Sequence, residues 1–369
     1  MEPVKYLYIS ATKQDTGKTT LMIGMLQILR DMGRDVGYIK PVGQRYVEYQ
    51  GLNIDEDAVL AREAFGLSDR AADMSPIAIE RGFTERYIFN RNPKPLEERI
   101  LAAMGRIRAA HNMVLVEGTG HAGVGSCFDL SNARVAQIMD AAVVIVADGG
   151  IGRAIDEVAL SLEVFAKHGV RVLGIILNKT WPENLARIQR AVGEGLKHLG
   201  TRLLGVIPFR PALVHPRMEQ VAAESGGRVL CGHAALGNRV ERTVIAAMAP
   251  EHVQLHLRRH TLMISAGDRT ENILVAVVAC TAKAAEMGPL SGLILTGGFE
   301  PPPVVVAALK QAGVPVILCD DDTYTVASKL RSIQFKLRPQ DTDKIEAAKA
   351  LVRESIDMTA LMEVLAGRP

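Results

Sequence analysis

Short apolar runs rich in β-branched residues recur along the first 210 positions, each followed by glycine or polar residues and then by a stretch with helical spacing. Period and length place strands at 6–10, 36–40, 113–117, 142–147, 172–177 and 203–207, with a helix opening at 21–26. This alternation predicts an α/β fold, a doubly wound and mostly parallel sheet covered on both faces. Beyond it, apolar runs at 263–271, 292–298 and 314–320 again end in small and charged residues, which predicts a second, smaller α/β domain. Pro301-Pro302-Pro303 sets the start of a helix at 304–312. From 340 to 367 the spacing of Ile345, Ala348, Leu351 and Val352, then an apolar face over 358–365, predicts a helix pair, with Asp343 and Glu346 as its N-terminal capping signal. The expected domains are 1–212, 213–335 and a helical tail at 336–369, which is expected to dock on its own protein.

The first strand runs into Thr12-Lys13-Gln14-Asp15-Thr16-Gly17-Lys18-Thr19-Thr20, and a helix follows. A strand, a glycine-containing loop and a helix start are the context in which backbone N–H groups and the helix dipole hold a polyphosphate. Thr16 and Gly17 shape the loop, Lys18 is placed for the β/γ-phosphates, Thr19 for Mg²⁺ and Thr20 for the α-phosphate. The competing reading is a solvated glycine turn. Ala11 and Thr12 stand where the loop usually has its first glycine.

Other strand ends supply further candidates. Glu117 and, after it, Asp148 are candidates for a Mg²⁺ partner or a water-positioning group, or for a turn cap. Asn178, with a donor and an acceptor, is a candidate for reading a base, or a turn residue.

Composition narrows the partners. The 369 residues exceed a usual single domain, 48% are hydrophobic, and 43 basic against 41 acidic residues give a net charge of +2. With 4% aromatics and interleaved charge, neither a nucleic-acid nor an anionic-membrane surface is expected. Cys127, Cys231, Cys280 and Cys319 have no metal-binding spacing and are expected to be buried thiols. The chain enters its first strand without a signal-like segment, and no apolar run approaches the ~18 residues of a membrane span, so a cytoplasmic location is expected.

Lys13 resembles the signature lysine of the deviant P-loop proteins of the MinD and nitrogenase iron protein type. There the extra lysine crosses a dimer interface to the partner's phosphates, which implies a homo-oligomer, a dimer first of all, and a catalytic part for Lys13; a solvated loop lysine is the alternative. The loop, with Lys40-Pro41-Val42, Asp57-Ala58-Val59-Leu60 and Val116-Glu117-Gly118, resembles dethiobiotin synthetase and the cobyrinic acid a,c-diamide synthases over about the first 210 residues. That resemblance implies a P-loop NTPase-type fold with ATP as cofactor. It also implies Mg²⁺ on Thr19, Asp57 and Glu117, adenine near Asn178 and Pro208, and a catalytic Lys40 that helps hold a carbamate. Asn178-Lys179 lacks the aspartate expected of a guanine reader.

Asp268-Arg269-Thr270 and Thr296-Gly297-Gly298 match the two elements for which the DRTGG domain is named. Arginine beside a hydroxyl and a Gly-Gly turn can form a pocket for a small-molecule effector, or an Asp–Arg pair can brace two loops. The order of the two domains resembles the N-terminal region of long-form phosphate acetyltransferases, which implies regulation and assembly. About forty residues follow the DRTGG stretch, so no transferase domain is expected within this sequence. The favoured function is an ATP- and Mg²⁺-binding regulatory or assembly protein with weak ATPase activity. The alternative is an ATP-dependent amide- or carbamate-forming ligase.

Overall fold

The computed structural model describes residues 5–281, 289–333 and 335–367. The chain forms two compact units, Met1–Arg210 together with Leu337–Pro369, and Pro211–Lys336. The first holds six parallel strands: β1 (Lys5–Ala11), β2 (Val36–Ile39), β3 (Met113–His121), β4 (Ala142–Asp148), β5 (Val172–Thr180) and β6 (Leu203–Pro208). Their order across the sheet is β6-β5-β4-β1-β3-β2. Helices cover both faces, so the strands are apolar without alternation, and Val143 to Ala147 are all 0% exposed.

The six predicted strands are present, and all but β2, which ends at Ile39, run further at their carboxyl ends than expected. Residues 118–121, which follow the expected strand, belong to β3, where the pairing with β1 slips between Ile9 and Ala11. Asp148, Asn178 and Lys179 are likewise strand residues. The chain leaves β1 toward one edge of the sheet and β4 toward the other, which opens a crevice at the carboxyl ends of these neighbours. Helix α1 (Lys18–Asp31) starts there, and α2 (Glu56–Phe65), α3 (Lys94–Ala110), α4 (Gly152–Lys167) and α5 (Leu185–His198) complete the covering layers.

The second unit is a five-stranded sheet of β7 (Arg228–Cys231), β8 (Arg242–Ile245), β9 (Thr261–Ala266), β10 (Gly292–Thr296) and β11 (Val316–Leu318), ordered β7-β11-β10-β9-β8. Only β7 is antiparallel to its neighbour. Here the period of two is visible: Met263, Leu293 and Leu295 enter one core, while Leu262, Ile264 and Ile294 enter the core on the opposite face. Helices α6 (Thr270–Thr281), α7 (Pro303–Ala312) and α8 (Thr323–Ser332) flank it.

The last two helices, α9 (Thr342–Ser355) and α10 (Met358–Leu365), pack on the first unit. Gly24 of α1 makes room for α9, since a Cβ there would lie 2.3 Å from Val352 Cβ. Arg353 pairs with Asp31, and Arg171 Nη2 donates to the Val364 carbonyl at 2.5 Å. The capping signal lies elsewhere than expected: Asp341 occupies the N-cap, Asp343 falls in the first turn, and Glu346 pairs with Lys349 at 2.7 Å. The expectation of buried thiols holds for Cys231 and Cys319 but needs correction for Cys280, which is half-buried, and for Cys127, which is exposed on the turn Ser126–Phe128. Among the described residues no helix is long and apolar enough to cross a membrane.

His111, which closes α3, joins three segments of the first unit. Its Nδ1 lies 2.7 Å from Asp35, just before β2, and its Nε2 lies 2.9 Å from Asp69, after α2. The hydrogen bond to Asp69 is the main cause that raises its pKa to about 9; burial opposes it and Asp35 assists. A pKa raised above the unfolded value of about 6.5 stabilises the fold fully below that value and progressively less as pH rises through about 9. We therefore expect His111→Gln to lower the unfolding midpoint at pH 6, with the deficit shrinking above pH 9. Thermal denaturation of both proteins across this range checks the sign.

Candidate nucleotide-binding site

The loop between β1 and α1 is held from three sides. Thr12 donates its N–H to the Val146 carbonyl at 2.9 Å, and its hydroxyl to Glu157 Oε2 of α4 at 2.8 Å. The residue in the usual glycine position thus serves as a tether, and it takes no left-handed φ. Asn178 donates from Nδ2 to the Thr16 carbonyl at 2.7 Å and accepts the Lys179 N–H at 2.8 Å, while Lys179 Nζ reaches the Asp15 carbonyl. Gly17 has φ +89°, and a Cβ on it would stand 2.3 Å from Asn178 Nδ2. Both facts restrict this position to glycine. Asn178 was a candidate for reading a base; in the structure both ends of its amide engage the main chain.

Lys18 follows at the first position of α1. It is buried, and among the described residues it makes no hydrogen bond or ion pair. Burial is the main cause that lowers its pKa to about 8, with Glu117 opposing and Lys40 adding to the drop. Thr16 Oγ1 is also buried and has no hydrogen-bond partner among the described residues. An uncompensated ammonium and hydroxyl at a helix N-terminus fit an anion that supplies the missing acceptors. Thr20, one residue further along, is only half-buried.

The floor of the crevice on the β3 side is a cluster of buried charge. Thr19 donates its hydroxyl to Glu117 Oε1 at 3.0 Å, and Tyr38 of β2 donates to Oε2 at 2.8 Å. Burial and the neighbouring Asp57 push the Glu117 carboxyl up, against the pull of Lys40, Tyr38 and Lys18. Lys40 lies between Asp55, 2.8 Å from its Oδ1, and Asp57. Burial alone would lower the Lys40 pKa, but Asp57 and Asp55 more than reverse it, so the ammonium stays charged. Asp55 also caps α2 by accepting the Asp57 N–H at 2.9 Å.

Thr19 and Glu117 are therefore adjacent, and Asp57 faces Lys40. Oxygen donors on this floor suit a hard cation whose remaining ligands come from phosphate and water. No self-sufficient group of three or more His, Cys, Asp or Glu is arranged for a metal among the described residues. Lys13 is paired within its own chain, with Asp148 Oδ2 at 2.6 Å, and both side chains are about one-third exposed. Pro208 ends β6, paired with Thr180 at the end of β5. Sequence reasoning missed Asp55, Tyr38 and Glu157. The Asp-Glu-Asp run at a helix start was the available signal for Asp55, whereas Tyr38 and Glu157 are recognisable only from their distant partners.

In the second unit the two DRTGG elements meet on adjacent strand ends. Gly267 donates its N–H to the Thr296 carbonyl at 3.0 Å, and the Thr296 hydroxyl contacts that of Thr323 at 2.7 Å. Gly297 and Gly298 have φ of +81° and +71°, and their N–H groups bond to the Asp321 and Cys319 carbonyls. Asp268 and Arg269 are exposed, and Thr270 starts α6. No Asp268–Arg269 pair braces the loops; Arg269 lies 3.7 Å from Glu271 instead.

A family model described as an AAA domain (AAA_26) matches residues 5–217, more than half of the chain. The chain belongs to this family. A DRTGG domain model matches residues 220–333, so the AAA_26 P-loop domain is fused to a DRTGG domain. The phosphate acetyltransferase of Nitratidesulfovibrio vulgaris is 27% identical over 98% of this chain and 52% of its own length. That of Synechocystis is 24% identical over 97% and 51%. The chain spans about half the length of the curated relatives it matches. Among solved structures, MinD of Aquifex aeolicus covers 57% of this chain and 84% of its own, at 15% identity and a TM-score of 0.37. The chain thus joins an AAA_26 P-loop domain to a DRTGG domain and is similar in sequence to about half of each of these phosphate acetyltransferases.

The Lys18 pKa yields a test of this AAA_26 site. With its pKa lowered to about 8, part of the Lys18 population is neutral at pH 8 without ligand, and bound phosphate oxygens would hold it charged. Binding of a nucleoside triphosphate at pH 8 is therefore expected to take up a fraction of a proton. Calorimetry in buffers of different ionisation enthalpy measures it; a buffer-independent enthalpy would show Lys18 already charged.

Proposed function

We propose that the first unit binds ATP with Mg²⁺ and that the protein is a nucleotide-responsive regulatory or assembly module related to phosphate acetyltransferase, with slow ATP hydrolysis. The observation that carries this reading is the buried Lys18 ammonium without a partner at the start of α1, beside the Thr19–Glu117 pair. In this reading the α1 N-terminus and Lys18 neutralise the β/γ-phosphates, and Thr16 bonds an oxygen of the same tail. Mg²⁺, held by Thr19 with Glu117 and Asp57 nearby, would supply further charge neutralisation at the γ-phosphate. Tyr38 orients Glu117 and, as a donor to Oε2, leaves Oε1 for the Thr19 side.

The ligase alternative assigns Lys40 to a carbamate. Support for it is weaker, because that ammonium is already engaged by Asp55 and Asp57. Lys13 would reach a partner's phosphates in a dimer only after leaving Asp148, so nucleotide and pairing would be coupled through this ion pair. The exposed Asp268, Arg269 and the Thr296-Gly297-Gly298 turn are the proposed place for a small-molecule effector in the second unit.

A substitution at Lys18 separates binding from folding. An ammonium buried without a partner opposes folding, so Lys18→Met, which keeps an apolar stem, should leave the ligand-free melting temperature equal or higher. ATP·Mg²⁺ binding should fall by about a hundredfold or more, the loss expected for charge-assisted phosphate contacts. Calorimetric affinity equal to the wild type would overturn the proposal.

A further inference from the structure

The polarity of the crevice locates the far end of a bound nucleotide. On the β3 side of the loop, Glu117, Asp57 and Lys40 form a buried floor that faces Thr19, which suits a phosphate tail and its cation. A base therefore leaves on the opposite side, where β5 and β6 end and Asn178 touches the loop. The Asn178 amide already donates one N–H to Thr16 and accepts the Lys179 N–H, which turns it toward the loop and leaves one N–H and one lone pair uncommitted.

What these strand ends present instead is aromatic. Trp181, the one tryptophan of the sequence, follows β5 directly and is 56% exposed. Phe209 follows β6, and the two rings meet edge to face with centroids 4.8 Å apart at 61°. The Phe209 N–H donates to the Thr180 carbonyl at 2.7 Å, which ties the two strand ends together beneath the rings. Phe209 thereby fixes the Trp181 indole while leaving much of its surface to solvent. A large exposed aromatic ring, held at one orientation beside a phosphate loop, is a stacking platform for a planar base.

We propose that Trp181, buttressed by Phe209, stacks on the base of the bound nucleotide, and that this stacking, rather than hydrogen bonding by Asn178, determines base preference. The proposal rests on the nucleotide reading above. Every purine has a π-face, so ATP and GTP are expected to bind within about threefold of each other. A ligand without a base loses the platform altogether.

Tryptophan fluorescence reports on this residue alone. ATP and GTP should each change the emission of the full chain, and inorganic tripolyphosphate should not. Trp181→Ala should weaken ATP and GTP about tenfold in calorimetry and leave tripolyphosphate affinity unchanged, with Trp181→Phe recovering most of the loss. Retained tripolyphosphate binding shows that the alanine variant is folded. Wild-type ATP affinity in Trp181→Ala, unmoved fluorescence while calorimetry records binding, or rejection of GTP by a hundredfold would each overturn the stacking proposal and leave nucleotide binding intact. Absence of binding of any of the three ligands to the wild type would instead remove the nucleotide reading, and this inference with it.

Discussion

Six parallel strands covered on both faces tolerate no polar side chain along most of their length, and this constraint organises the whole first unit. Within the strands, buried polar groups such as the Tyr8 and Tyr38 hydroxyls are hydrogen-bonded, and the charged groups of the crevice stand toward the carboxyl ends. Lys40 follows β2 directly, Glu117 lies where β3 slips against β1, and Asp148 and Asn178 lie in the last three residues of β4 and β5. Because the strands are parallel, these positions converge on one crevice. The site is thus a consequence of burial as much as of any individual motif.

Within the crevice, charge is placed in two different ways. Lys40 is compensated by two carboxylates and accepts burial without changing its protonation. Lys18, a few residues along the chain from an exposed loop, has no such partners and shows a lowered pKa from desolvation. The first arrangement is internally complete and suits a structural floor. The second is incomplete and has the form of a receptor for negative charge. The same contrast holds between the amide of Asn178, engaged by main chain, and the hydroxyl of Thr16, which is buried without a partner among the described residues.

Much of the fold was legible because the periodicities are strong. The strand runs at 142–147 and 172–177 are stretches without polar side chains, rich in β-branched residues and each followed by a polar one, and the tail helices keep a clear apolar face. Less legible were the strand ends, where Gly118 to His121 look like a glycine-rich loop but continue β3 through a register slip. Glycine has no propensity that opposes a loop, and only the neighbouring strand supplies the hydrogen bonds that hold it extended. The cap at Asp341 was missed for a similar reason, since Asp343 and Glu346 have the right spacing yet lie two residues too far in.

The amino-acid order by itself marked Thr12–Thr20 as the junction of a strand, a glycine-containing loop and a helix start, since such a junction is encoded by neighbours within about ten positions. It also determined that two α/β domains follow one another, because hydrophobic period is a local property. What only the tertiary structure decided are the pairings between distant residues: Thr12 with Glu157, Lys13 with Asp148, Lys40 with Asp55, and Trp181 with Phe209. The reason is geometric. A side chain's charge, partner and exposure depend on which strand becomes its neighbour, and the order β6-β5-β4-β1-β3-β2 is a property of the packed sheet rather than of any one segment.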